Sequence, residues 1–151
     1  MKRLLLSALL MTGLSSAFAQ ELEIKDDKVL LDGKAILKYE KINSRQHSFY
    51  TLDGENELMM YKWNDNESPQ YLEDDFFSLN FLVEKVKVES NQSRSQTISG
   101  VGMNSRKNME KLVKWLLKEK VLNTDGSLNP TKVQVFYDKY NENITQRTVR
   151  Y

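Results

Sequence analysis

The chain has 151 residues, 40% of them hydrophobic and 28% charged, with six Gly and two Pro, a globular composition about one domain long that excludes collagen-like and low-complexity classes. Twenty-two Lys and Arg against 21 Asp and Glu leave a net charge of +1, so there is no general pull toward nucleic acid. There is no cysteine, and His47 is the single histidine, which removes disulfides, thiol nucleophiles and cysteine- or multi-histidine metal sites.

The opening MKRLLLSALLMTGLSSAFAQ has the three parts of a secretory leader. Lys2 and Arg3 supply the positive start, Leu4 to Leu14 the apolar run, and Ala17-Phe18-Ala19 the small residues of a cleavage site. As a helix the apolar run would reach only ~17 Å, short of the ~30 Å hydrocarbon core. We therefore expect residues 1–19 to be a signal peptide, removed after Ala19, and residues 20–151 to form a single domain in the periplasm or outside the cell. Cleavage leaves 132 residues and moves the net charge from +1 to −1. Without cysteine there is no lipid anchor, and no later stretch is apolar enough to span a bilayer.

From Glu21 to Glu89 the pattern is strand-like. Leu22-Glu23-Ile24 alternates, Asp26-Asp27 turns, and Lys28 to Leu31 reads as a second short strand. Asp32-Gly33 suits a two-residue hairpin, because both residues tolerate positive φ. Lys34 to Ile42, His47 to Leu52 and Glu57 to Trp63 continue the series, with a turn at Asp53-Gly54-Glu55-Asn56. Leu31-Asp32-Gly33 and Leu52-Asp53-Gly54 echo each other, which we read as two hairpins using the same turn residues rather than as a duplication. Asn64 to Asp75, with Pro69 and five acids, reads as a long loop. Phe76 to Glu89 is the longest predicted strand. Phe77, Leu79, Phe81 and Val83 share one face and Val86 and Val88 the other, which predicts a bend or bulge near Glu84.

Ser90 to Gly102 is polar and reads as a connection. The period then changes to helical at Met109, Leu112, Val113, Leu116, Leu117 and Val121, with Lys107, Lys111, Lys114 and Lys118 on the wetter side. Asn123-Thr124-Asp125-Gly126 is read as the end of that helix. Asn129-Pro130 starts another, with Asn as cap and Pro in its first turn, and Val133, Phe136, Tyr137 and Tyr140 form its apolar stripe. Ile144 to Tyr151 is a tail or a last strand. The expected class is α+β: an antiparallel sheet of five or six strands followed by two C-terminal helices packed on one face.

Few constellations carry chemistry. Glu73, Asp74 and Asp75 concentrate carboxylates, the groups that divide acid and base roles when burial separates their pKa values. The upstream Asn64-Asp65-Asn66-Glu67-Ser68 lacks the glycine of a calcium loop. Gly100-Val101-Gly102 lacks the rest of a phosphate-binding fingerprint. His47 lies at a strand start with no nucleophile elbow in the chain. The segment Arg106 to Lys120 holds six basic residues against Glu110 and Glu119, a pattern that reads first as the wet face of an amphipathic helix. Tyr61, Trp63 and Tyr71 flank the acidic loop, and exposed aromatics beside carboxylates suit ligand binding by stacking and hydrogen bonding. The candidate site is therefore Tyr61, Trp63, Tyr71, Glu73, Asp74 and Asp75.

Leu52-Asp53-Gly54 before Glu57-Leu58, the aromatic run Phe76 to Leu82, and the ending Val121-Leu122-Asn123-Thr124-Asp125-Gly126-Ser127-Leu128-Asn129 followed by Val133, Phe136 and Tyr140 resemble a group of small exported proteins of Bacteroidetes-type bacteria. These are rich in lysine and asparagine and carry no known activity. The resemblance implies an exported chain of this fold and transfers no active-site residue. The expectation is a non-enzymatic binding or interaction module of the cell envelope, with an envelope protein or a glycan as partner. It would use no nucleic acid, no cofactor and no metal. The competing expectation is a hydrolase working through Glu73, Asp74 and Asp75.

Overall fold

The computed structural model describes residues 20–64, 76–91 and 105–148. The leader, the acidic stretch at 65–75 and the Gly100-Val101-Gly102 segment lie outside them. Seven strands pair in chain order as one antiparallel meander: β1 (Leu22–Lys25), β2 (Lys28–Leu31), β3 (Lys34–Asn43), β4 (Gln46–Tyr50), β5 (Glu57–Asn64), β6 (Phe76–Phe81) and β7 (Val86–Ser90). Helices α1 (Ser105–Lys118), α2 (Pro130–Tyr140) and the short α3 (Ile144–Thr148) follow. The α+β class with an antiparallel sheet holds, and the strand count is seven rather than five or six.

The extra strand comes from dividing Phe76 to Glu89. Instead of one bent strand, residues 82–85 turn the chain back, with Lys85 in the left-handed region at φ 57°. Phe81 then pairs with Val86 and Leu79 with Val88. Reversal explains the change of face in the apolar pattern as well as a bulge would. This turn has no Gly, Pro, Asn or Asp to announce it.

Elsewhere turn chemistry matches the sequence. Asp26 and Asp27 (φ 50° and 57°) and Asp32 and Gly33 (φ 50° and 80°) make two-residue connections with both residues left-handed. The echoed Asp53-Gly54 solves a different problem. Its loop spans residues 51–56, where the Asp53 carboxylate accepts from the Glu55 N–H and the Thr51 hydroxyl, and Thr51 N–H donates to the Asn56 carbonyl. The register slip at Val29/Leu30 lets the consecutive residues Ile36 and Leu37 both become buried, and further slips fall at Lys41/Asn43 and Phe49/Tyr50.

One face of the sheet carries the core. Cross-strand neighbours run Ile24–Val29–Leu37, then Tyr39–Phe49–Met59–Phe81, then His47–Tyr61–Leu79–Val88. Onto it pack Met109, Leu112, Val113 and Leu116 of α1 and Val133 and Phe136 of α2, all buried. Trp115 meets Phe77 of β6 edge-on, and Phe136 meets Phe81.

The first helix ends before the Asn123–Gly126 turn that the sequence predicts as its stop. Lys120 takes φ 60°, the Val121 N–H donates to the Leu116 carbonyl, and the Lys120 N–H donates to the Leu117 carbonyl. That is a left-handed helix stop of the Schellman kind, with lysine where glycine is usual. Asn123 to Ser127 is instead the tip of a small hairpin in which Leu122 bridges Leu128. Asn129 caps α2 by accepting from the Lys132 N–H at 3.2 Å, with Pro130 next, as the sequence predicts.

Both sheet edges are covered. On β1 the Ile24 N–H donates to Glu110 Oε1 of α1 at 3.0 Å. On β7 the Glu89 N–H donates to Asn141 Oδ1 and its carbonyl accepts from the Glu142 N–H. Glu142 Oε2 accepts from Ser90 Oγ and the Asn91 N–H, and the Glu89 carboxylate accepts from the Thr145 N–H. Ile144 is buried beside them. Paired or covered edges cannot template a further strand.

Candidate functional site

Of the residues expected to form a site, Tyr61 and Trp63 are core. They are only 2% and 6% exposed, because β5 lies inside the sheet and odd-numbered residues there point at the helices. The exposed aromatic surface assigned to them is therefore corrected. Tyr71, Glu73, Asp74 and Asp75 lie outside the described residues.

Tyr61 belongs to a buried polar seam. Tyr39 Oη and His47 Nδ1 are 2.8 Å apart, and the two rings stack with centroids 5.8 Å apart. Burial, aided by the Lys41 charge and opposed by a hydrogen bond with the Ser44 backbone, lowers the His47 pKa to about 4. Burial pushes the Tyr39 hydroxyl up to about 12 and raises that of Tyr61. All three groups are thus neutral at pH 7. His47 is closed off from solvent, so the seam serves packing. Among the described residues no three His, Cys, Asp or Glu side chains stand close enough to hold a metal ion.

The arrangement that does face solvent lies on the helix pair. Along α1, Lys111, Lys114 and Lys118 fall at successive turns on one side, with Trp115 between that row and the core. Where α1 crosses α2, Trp115 stands 4.8 Å from Phe136 and 4.8 Å from Tyr140, tilted at 58° and 73°. Lys111, Lys114, Trp115, Lys118, Glu119, Lys139 and Tyr140 line an open hollow of about 700 Å³. Its floor is the aromatic corner of Trp115 and Tyr140, both half-buried, and its rim is ammonium groups.

Among the described residues Glu119 is the hollow's one carboxylate, and it is already engaged. Tyr140 Oη donates to Oε1 at 2.6 Å, and Lys139 Nζ lies 3.3 Å from both oxygens. Partial burial works to raise the Glu119 pKa, but the hydrogen bonds from Tyr140, Lys139 and Trp115 outweigh it and hold the carboxyl below its ordinary value. Lys139 also sits 4.9 Å from the centroid of the Tyr140 ring, a cation–π distance. Among the described ion pairs, none supplies a carboxylate to Lys111, Lys114 or Lys118. The lining therefore keeps a surplus of three positive charges.

The sequence announces half of this hollow, since Lys114 beside Trp115 is visible in the basic helix. It does not announce Lys139 and Tyr140, which sit a helix away and join only through the crossing of α1 and α2. Comparison with protein-family models, curated proteins and solved structures finds no match for this chain.

Proposed function

We propose that this protein is a non-enzymatic binding module of the cell envelope, exported and trimmed after Ala19, and that its ligand site is the basic hollow between α1 and α2. The observation that carries the proposal is a half-buried Trp–Tyr corner rimmed by three lysines that have no carboxylate partner among the described residues. Ring faces offer apolar area to the flat side of a sugar, and ammonium groups pair with acidic substituents. The ligand class this favours is an anionic glycan. Lysines alone would suit any acidic surface; the concave aromatic floor between them favours a ligand with both flat apolar faces and negative charge.

The test is titration of the purified mature chain with three probes: sulfated dextran oligomers, neutral dextran and poly-glutamate. We expect sulfated dextran to bind, and to bind more weakly as salt rises. The double variant Lys111→Ala/Lys118→Ala should lose about tenfold in affinity, equivalent to about 1.4 kcal/mol. Neutral dextran should not bind. Equal binding of poly-glutamate would reduce the site to a charge detector, and binding unaffected by the double variant would remove it from the hollow. Export is checked separately, by fractionating the native host and measuring the N-terminus of the recovered chain.

A further inference from the structure

A second, smaller hollow of about 240 Å³ lies on the other side of the same lysine row, lined by Gln20, Leu22, Leu31, Lys114, Leu117 and Lys118. Lys114 and Lys118 are common to both hollows. The chain is fixed immediately after Gln20. The Glu21 N–H donates to Asp32 Oδ1 at 2.8 Å, and the Glu21 carbonyl accepts from the Asp32 N–H at 2.7 Å. Gln20 itself is exposed. Residue 20 is thus tethered on the wall of a hollow that Lys114 and Lys118 also line.

We propose that Gln20 is a modification site, converted to pyroglutamate once it becomes the N-terminal residue. This rests on the reading that the leader is removed after Ala19. Cleavage there would create an α-amine on a residue whose own side chain carries a carboxamide. The amine nitrogen attacks the carboxamide carbon of the same residue and a five-membered lactam forms. The bond from that carbon to the side-chain nitrogen breaks, and the departing nitrogen takes a proton from the attacking amine and leaves as ammonia. Nothing is oxidised or reduced.

Charge of both signs around the hollow bears on this step. Only the unprotonated amine can attack, and an α-amino group ordinarily titrates at about 7.7–8.0. Lys114 and Lys118, which line the hollow, disfavour its protonated form, while the Asp32 carboxylate, 2.8 Å from the Glu21 N–H, favours it. Apolar Leu22, Leu31 and Leu117 on the same wall lower the local polarity and strengthen both influences. Cyclisation leaves the Glu21 N–H in place, so the tether to Asp32 survives. The product is a neutral N-terminus, which removes one positive charge beside two lysines of the ligand hollow and blocks an aminopeptidase from the first residue.

The experiment is intact-mass measurement and N-terminal sequencing of the full-length chain after export by a secreting host, followed by incubation of the recovered protein at pH 8. The proposal expects residues 20–151 lighter by one ammonia, with the N-terminus blocked to stepwise degradation. A chain beginning at Gln20 that keeps its full mass and a free amine through the incubation overturns the proposal while leaving export intact. A chain cut elsewhere, or retaining the leader, overturns it by overturning the cleavage reading. The role of the hollow is read from rate: Lys114→Glu/Lys118→Glu should slow cyclisation roughly two- to fivefold at pH 7, and an unchanged rate would show that the hollow does not assist.

Discussion

Two glycines with the same backbone sign have different reasons to be glycine. Gly33 (φ 80°) is a hairpin turn residue, and a Cβ there would meet nothing within 4 Å. Gly126 (φ 88°) tips the small hairpin between α1 and α2, and its Cβ would fall 2.1 Å from the Ile36 carbonyl oxygen. We predict that Gly33→Ala costs about 1 kcal/mol, the price of a left-handed non-glycine residue. Gly126→Ala should cost more than about 3 kcal/mol, because backbone strain and a main-chain clash add. Denaturant midpoints of the two variants decide this, and equal losses would mean that φ alone matters. His47 makes a pH prediction at the same scale. Its pKa is about 4 when folded and 6.5 when unfolded. Above pH 6.5 neither state is protonated; below it only the unfolded chain takes up the proton, so stability falls with falling pH until about pH 4. The loss over that window is about 3 kcal/mol. Chemical melts from pH 7 to 4 should show it in the wild type and a flatter curve in His47→Phe.

At the scale of elements, α1 has two jobs on two sides. Leu112, Val113 and Leu116 are fully buried against the sheet, while Lys111, Lys114 and Lys118 are exposed. Leu116→Ala should therefore cost ~2–5 kcal/mol, as large-to-small core changes do. Lys114→Ala should leave stability within about 0.5 kcal/mol yet weaken binding of sulfated dextran. Urea melts paired with the dextran titration separate the two roles, and a neutral Leu116→Ala would mean that α1 is not a core element. The apolar stripe of this helix was legible from its 3.6-residue period. Its end was not, because the residue that takes the left-handed stop is a lysine. The turn at residues 82–85 was hidden for the same reason. In both places surrounding hydrogen bonds impose a conformation that the local residues do not advertise.

At the scale of the whole molecule, a seven-stranded meander leaves two edges, and the chain covers each with a later element. Glu110 reaches back to β1, and Asn141 with Glu142 docks on β7. The β7 cover is polar except for Ile144, and its carboxylate Glu89 is held below its ordinary pKa: burial works to raise it, but Lys87 and Thr145 outweigh that. We predict that a chain ending at Tyr140 folds its sheet but associates through the uncovered β7 edge. Sedimentation velocity should show concentration-dependent dimers or larger species in the truncated chain only. A monomeric truncated chain would show that the last residues do not guard the edge.

Local chemistry made much of this protein readable. The alternation of Leu22 and Ile24, the Asp-Asp and Asp-Gly turns, the Asn129-Pro130 helix start and the absence of cysteine depend on a few adjacent residues, and each reads directly as a strand, turn, cap or excluded chemistry. Tertiary structure decided what depends on distant partners. It placed Tyr61 and Trp63 inside, because which face of β5 is buried depends on where the helices land. It brought Lys139 and Tyr140 to Trp115 and Glu119, and it made Gly126 indispensable by laying a hairpin on the carbonyl of Ile36. Periodicity shows that a helix has a wet side. Only the crossing of two helices turns that side into a hollow with a floor.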